Sequence, residues 1–358
     1  MKNILIIFGT RPEFIKLLPL FNEIKRNGLV GFVSVFSGQQ SDLLPDLFSQ
    51  FKFKPDYVLQ TTNHNNILSF SFANILNQLQ ILYEELKTKS NIEMIIAQGD
   101  TTTAACAAMM AFFCGIRFTH IEAGLRTNDL ANPFPEEFYR TMISRITYMH
   151  CVPTKSAMEN LLSEGISPNS IEVTGNTIVD SVKMICENYS QVEIKRDVVL
   201  ITCHRRENLN SNFIFLMNQI IVLAKRYPDL RFKWVSHTNP LVKAILDLNP
   251  FLNIQNLEVI LPLNILDLYK LYDKTKLIIT DSGGIQEEAI SFNIPVMVFR
   301  NKTERIESIQ SGYSHYCSFE HDPFQSMFEE IINSMPMEMH NPYGDGQAAK
   351  RIISLIKK

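Results

Sequence analysis

Along almost the whole chain a short apolar segment alternates with a polar turn and a longer amphipathic segment, and that alternation leaves few folds open. The strand candidates are 4–8, 32–37, 93–98, 116–121 and 149–153, followed by a second set at 197–203, 231–236, 257–262, 276–280 and 295–299. Helical spacing fills the intervals at 13–27, 68–88, 102–114, 136–147, 154–164, 210–226 and 285–293. In the first of these Gly28 closes the helix, and Pro19 is expected to bend it. Strands alternating with helices predict an α/β chain whose parallel sheets are covered by helices on both faces. The two sets of strands are separated by 176–196, "NTIVDSVKMICENYSQVEIKR", which ends in a polar stretch and puts the domain boundary near 180–195. The expected architecture is two Rossmann-like domains with a central cleft. Residues 1–185 form the first domain, 186–340 the second, and 341–358 end in an amphipathic helix able to pack back on the first. A chain of 358 residues can bury two such cores.

Composition removes several function classes. Hydrophobic residues make up 46% and charged residues 20%, the balance of an ordinary globular protein. A formal net charge of −3 gives no broad basic surface for nucleic acid. No apolar run approaches the ~18 residues of a membrane span. The start, "MKNILIIFGT", reads as a buried strand, not a signal peptide. The six cysteines (106, 114, 151, 186, 203 and 317) lack C-x-x-C spacing, so free thiols in a reducing cytoplasm are expected. Cys203 adjoins His204, but nothing nearby completes a metal set, and no metal is expected.

Open α/β sheets bind ligands at the carboxyl ends of their strands. Here those ends carry the unusual polar residues: Arg11, Gly99-Asp100-Thr101, Glu122, His204-Arg205-Arg206-Glu207, His237, and Asp281-Ser282-Gly283-Gly284. Chance would scatter them over both ends. In "TDSGGIQEEA" (280–289), Ser282, Gly283 and Gly284 let a helix N-terminus approach an anion, and Glu288 lies where a carboxylate can accept from ribose hydroxyls. Together these favour a nucleoside diphosphate over a plain glycine turn. In "FGTRPEFIK" (8–16), Pro12 suits a first helical turn, and Arg11 and Lys16 either meet an anion or serve as a carbonyl cap and a surface cation. Asp100 either caps the helix that follows or acts chemically. Glu122 has no capping reason. Of Glu136 and Glu137, at a helix start where acids suit the dipole, one is open to a purely structural role. His204 with two arginines reads as phosphate binding, against a surface ion pair as the plainer alternative.

Taken in order, "FGTRPEFIKLLPL", "GDTTT", "HIEAGLRT", "PFPEEFYR", "TGNTIVD", "HRREN", "TDSGGIQEEA", "KTERIES" and "NPYGDGQAA" resemble the non-hydrolysing UDP-N-acetylglucosamine 2-epimerases, from residue 1 to 358. The resemblance implies the glycosyltransferase-B-type fold and interconversion of UDP-N-acetylglucosamine with UDP-N-acetylmannosamine, without a cofactor. It implies Asp100, Glu122 and Glu136 as the acid/base set, with His204 among the catalytic residues. Arg11, Lys16, Arg140, His237, Ser282, Gly283, Gly284, Glu288 and Arg305 would bind the UDP-sugar. It further implies a homodimer, for which the apolar helix 68–84 is the pairing candidate.

The chain also departs from the family pattern. Gln40 and Ser41 stand where many members have histidine and arginine, and "SFSFANILNQL" lacks the arginine of a second, regulatory UDP-N-acetylglucosamine site. Activation by its own substrate is therefore not expected. Ile265 and Leu268 replace the usual aromatics beside the uracil, with Tyr269 as a possible compensation, and no proline follows Arg305. Competing readings are an epimerase of another UDP-2-acetamido sugar, a hydrolysing 2-epimerase, a glycosyltransferase and a non-catalytic sensor. "GTRPEFIK" argues against the hydrolysing class, and the complete carboxylate set argues against the last two.

Overall fold

In the computed structural model the described residues are 3–28, 31–40, 44–61, 67–187, 195–205, 208–209, 211–236, 240–247, 251, 254–300, 303–317, 324–334 and 340–357. They divide into two compact units, Met1–Lys183 with Tyr343–Lys358, and Met184–Pro342.

The first unit is built on a parallel sheet. Its strands are β1 (Asn3–Phe8), β2 (Phe32–Phe36), β3 (Tyr57–Val58), β4 (Ile92–Gln98), β5 (Arg117–Ile121), β6 (Met149–Val152) and β7 (Ile171–Val173). Their spatial order is β3-β2-β1-β4-β5-β6-β7, so the winding reverses between β1 and β4. Leu5, Ile6 and Ile7 lie opposite Ile95, Ile96 and Ala97 across that pair. Helices α1 (Arg11–Arg26), α2 (Leu44–Gln50), α3 (Leu68–Lys87), α4 (Thr102–Phe113), α5 (Glu136–Ile146), α6 (Lys155–Ser163) and α7 (Thr177–Cys186) follow successive strands. Helix α4 has almost no polar face, and Ala104, Ala105, Ala107, Ala108 and Ala111 are all buried against the sheet and α3. Opposite lies a phenylalanine cluster in which Phe8 and Phe21 of β1 and α1 contact Phe53.

The second unit repeats the plan. Its strands are β8 (Val198–Thr202), β9 (Arg231–Val235), β10 (Leu257–Ile260), β11 (Thr275–Thr280), β12 (Val296–Phe299) and β13 (Ser314–Cys317). Their order is β10-β9-β8-β11-β12-β13, all parallel, with the reversal between β8 and β11. Its helices are α8 (Ser211–Arg226), α9 (Pro240–Asp247), α10 (Ile265–Tyr272), α11 (Gly283–Ser291), α12 (Ile306–Gln310) and α13 (Phe324–Asn333). Trp234, Phe213, Phe232 and Phe328 fill its core.

All ten strands expected from sequence are present within two residues of their stated ends. The sequence pattern missed β3, β7 and β13, which are two to four residues long. The stretch 176–196 is not linker throughout, because 177–186 form α7; residues 188–194 lie outside the described set.

Helix α7 answers a problem set by Pro19. Helix α1 runs through Pro19, which has no N–H to give to the carbonyl of Ile15 one turn earlier. Ser181 of α7 supplies the donor, its hydroxyl 2.7 Å from the Ile15 oxygen. One residue away, Asp180 accepts from the backbone N–H groups of Ala348 and Ala349, at 3.2 and 2.9 Å. Those groups open α14 (Ala348–Lys357), which packs on α1. Ser181→Ala strands the buried Ile15 carbonyl without this donor. We expect a loss of about 1–2 kcal/mol in stability, read as a lowered denaturant midpoint at unchanged slope.

Candidate active site

The β1–α1 turn is held from beneath. Gly9 has no room for a side chain, because a Cβ there would lie 2.1 Å from the Thr103 hydroxyl and 2.2 Å from that of Ser37. Thr10 and Glu13 form a reciprocal cap at the start of α1. Glu13 is 1% exposed, and its Oε2 accepts from the N–H groups of Gly9 and Thr10 at 2.8 and 2.7 Å. Its Oε1 accepts from the Thr101 hydroxyl in the β4–α4 turn, at 2.6 Å. This one carboxylate therefore fastens the turn that carries Arg11 to the turn that carries Asp100. Arg11 is half-buried, and its N–H donates to Gln40 Oε1 at 3.0 Å. Gln40 thus braces the β1–α1 turn.

Lys16, one turn into α1, is buried and donates to Glu122 Oε2; both side chains are 6% exposed. Glu122, directly after β5, has φ +65, a left-handed backbone that costs a non-glycine residue about 1–2 kcal/mol. Its N–H and that of Ala123 both donate to the Cys151 carbonyl, which holds the turn. Asp100 is paired with Arg140 of α5, whose Nε lies 2.7 Å from Oδ2. The same guanidinium donates through Nη1 to Glu137 at 3.0 Å. Arg140 is buried, and the two carboxylates hold it firmly in its charged form. Glu137 is also buried and accepts from the N–H groups of Thr127 and Asn128, so this glutamate has the structural role. Glu136 is half-buried at the first position of α5. His120 is buried, and burial pushes its pKa down to about 4. A neutral ring at pH 7 donates from Nε2 to the Gly99 carbonyl, 2.7 Å away, and steadies the turn before Asp100.

In the second unit Asp281 has the place that Glu13 has in the first. It is 0% exposed at the end of β11, and its Oδ2 accepts from the N–H groups of His204 and Arg205 and from Asn208 Nδ2. The His204 ring, 32% exposed, lies with Nδ1 3.3 Å from Asp281 Oδ1. Ser282, Gly283 and Gly284 open α11. A Cβ on Gly283 would come within 2.9 Å of the Arg305 guanidinium carbon, whereas one on Gly284 would meet open space. Arg305 is buried under that first turn and donates to Glu287, 3.0 Å away, and to Glu304. Glu288 is 9% exposed and accepts from the Tyr272 hydroxyl at 3.2 Å. Tyr269 does not stand in for a uracil-facing ring: it is fully buried, with its ring on Tyr272 and Phe292. His237, Arg206 and Ser41 lie outside the described residues. Among the described residues no group of three or more His, Cys, Asp or Glu side chains is placed to hold a metal ion.

Both sets sit where the strand order reverses, the position at which doubly wound sheets take nucleotides. A family model described as UDP-N-acetylglucosamine 2-epimerase matches residues 22–357. The chain belongs to the UDP-N-acetylglucosamine 2-epimerase family. The UDP-N-acetylglucosamine 2-epimerase of Neisseria meningitidis is 35% identical over 375 residues, covering 99% of each chain. A crystal structure of UDP-GlcNAc 2-epimerase from N. meningitidis bound to UDP-GlcNAc superposes with a TM-score of 0.89, at 35% identity and full coverage of both chains. An S. aureus MnaA–UDP co-structure gives a TM-score of 0.91 at 34% identity, covering 100% of this chain and 96% of that one. The chain has the glycosyltransferase-B-type fold expected from sequence.

Sequence reasoning passed over the turn-holding bonds of Glu13 and Asp281 and the contact between Tyr272 and Glu288. Asp281 was visible in its strand-end cluster, but Glu13 stood only at the start of the helix expected over 13–27. Burial raises the pKa of Glu13 from 4.5 to about 7, against the lowering effect of its hydrogen bonds. The folded chain therefore keeps this proton where the unfolded chain has released it. The contribution to stability is complete below pH 4.5 and is lost as pH rises through about 7. Its size is about 3 kcal/mol from the shift. Glu13→Gln, permanently neutral, should flatten the pH dependence of the unfolding free energy between pH 4.5 and 7; an unchanged slope would place the proton elsewhere.

Proposed function

We propose that this protein interconverts UDP-N-acetylglucosamine and UDP-N-acetylmannosamine by eliminating and re-adding UDP. The observation that carries this reading is the pairing at the β1/β4 end of the first unit, where Asp100 and Glu122 are each joined to a buried cation, Arg140 and Lys16. Such groups can take a proton from a carbon while opposing the charge that develops nearby. In the forward direction a carboxylate removes the proton from sugar C2. The C2–H electrons form the C1–C2 double bond, and the C1–O bond breaks with its electron pair going to UDP. The product pair is 2-acetamidoglucal and UDP. Protonation of C2 on the opposite face and return of UDP to C1 give the epimer. Asp100, Glu122 and Glu136 are the acid/base set in this reading. Arg11, Lys16, Arg140 and His204 oppose the charge of the leaving diphosphate, and Ser282, Gly283, Gly284 and Glu288 hold the phosphates and ribose. His237 and Arg305 belong to the same substrate set by family resemblance.

The non-hydrolysing course is supported by "GTRPEFIK", which differs from the motif of the hydrolysing enzymes. The product suits supply of an activated sugar for surface polysaccharide. A cytoplasmic enzyme fits this role, and among the described residues no helix is long and apolar enough to cross a membrane. A homodimer fits the exposed apolar side chains of α3 and α4. Phe70 is 59%, Ile81 58%, Phe112 59% and Phe113 63% exposed, on helices joined side by side through Cys106–Phe72 and Cys114–Gln80 contacts.

The deciding experiment is proton NMR of the protein with UDP-N-acetylglucosamine in deuterium oxide. Appearance of UDP-N-acetylmannosamine with deuterium at C2 of both epimers is expected; free N-acetylmannosamine would move the protein to the hydrolysing class. Started from UDP-N-acetylmannosamine alone, the time course should show no lag, since Gln40 is engaged in the β1–α1 turn and the regulatory arginine is missing. A lag abolished by UDP-N-acetylglucosamine would refute that. Sedimentation should give twice the mass of one chain, and Phe112→Asp with Phe113→Asp should shift it toward the monomer; a dimer unaffected by both changes would use another face.

A further inference from the structure

A buried polar contact in the second unit has no part in the mechanism above. Tyr272 closes α10, is 0% exposed, and donates its hydroxyl to Glu288 Oε2 across the 3.2 Å noted above. The ring has little freedom. It stacks on Tyr269 at 5.8 Å and 23° and meets Phe292 edge-on at 5.1 Å and 72°. Neighbouring Glu287 is turned to Arg305, so the two adjacent glutamates of α11 have different partners. A glutamate side chain has three rotatable bonds, and a phenol fixed by two aromatic neighbours is a rigid donor that selects one of its orientations. A carboxylate offers about four acceptor positions, so a bond from Tyr272 leaves capacity for sugar hydroxyls.

We propose that Tyr272 is a positioning residue that sets the discrimination between ribose and 2′-deoxyribose in the nucleotide, by holding Glu288 in the orientation that accepts from the 2′-hydroxyl. The proposal rests on the reading of Glu288 as the ribose ligand. A site built to hydrogen-bond a hydroxyl rejects the analogue lacking it, and it does so only while its acceptor is held in place. Without the phenol, Glu288 re-aims, and the advantage of UDP over 2′-deoxy-UDP shrinks.

The test measures dissociation constants of UDP and 2′-deoxy-UDP by calorimetry for the wild-type protein, Tyr272→Phe and Glu288→Gln. Phenylalanine keeps the ring packing, so the fold is preserved, which an unchanged melting temperature verifies. For Tyr272→Phe, UDP should bind about five- to tenfold more weakly, the scale of one ordinary hydrogen bond, while 2′-deoxy-UDP changes little. In turnover KM should rise by the same factor with kcat unchanged. Equal weakening of both nucleotides, or no change in their ratio while Glu288→Gln does compress it, overturns the role of Tyr272 and leaves Glu288 as the ribose ligand. An unchanged ratio in Glu288→Gln overturns the ribose reading itself, and the proposal with it.

Discussion

In each unit, one buried carboxylate ties together the ends of the two strands between which the sheet reverses. Glu13 joins the ends of β1 and β4, and Asp281 joins those of β11 and β8. The constraint behind this is backbone accounting. Where a parallel sheet reverses, the turns leaving the two central strands diverge to opposite faces, and their N–H groups have no strand partner. Water would satisfy them in an open turn, but a turn that must also present its surface to a ligand needs an internal acceptor. A carboxylate meets several donors at once, which no carbonyl on a neighbouring loop does as compactly. The residues that the sequence singles out for chemistry, Arg11, Asp100, His204 and Ser282, all sit on turns fixed in this way.

The legibility of this protein in its sequence follows from which forces act locally. Strand cores such as "ILIIF" and "KLIIT" are buried on both faces, so they read as continuous apolar runs and were located to within a residue or two. The two residues of β3 and the four of β13 carry too little pattern to stand out from loop. Strand-end polarity was legible because a doubly wound sheet gathers it at one edge. Partners far apart in sequence were not. Pro19 announced a broken hydrogen bond, but nothing nearby said that Ser181, 166 positions beyond Ile15, would answer it. Tyr269 illustrates the opposite error. Its type and position suggested a ring facing a base, yet its helical register sends it into the core beside Tyr272 and Phe292. Glu13 was hidden by its place at the start of the helix expected over 13–27, where an acid suits the dipole and gives no sign of its partner Thr101.

The charge arrangement bears on how such a site can work at all. Removing a proton from a carbon that is only weakly acidic requires a base that is ionised yet poorly solvated, and burial alone would protonate it. In the proposed reaction the pairing of Lys16 with Glu122 and of Arg140 with Asp100 would resolve that conflict, because a neighbouring cation favours the charged form of a buried acid. Buried pairs of this kind add little to stability, since the desolvation of both ions offsets most of their attraction. Their value lies in orientation fixed before substrate arrives. The left-handed backbone at Glu122 fits the same logic: a conformation that costs energy persists where its neighbours, here the Cys151 carbonyl and Lys16, hold it in place. In the proposed reaction a departing diphosphate would meet cations that are already positioned, and the field that stabilises its charge would need no rearrangement at the moment the bond breaks.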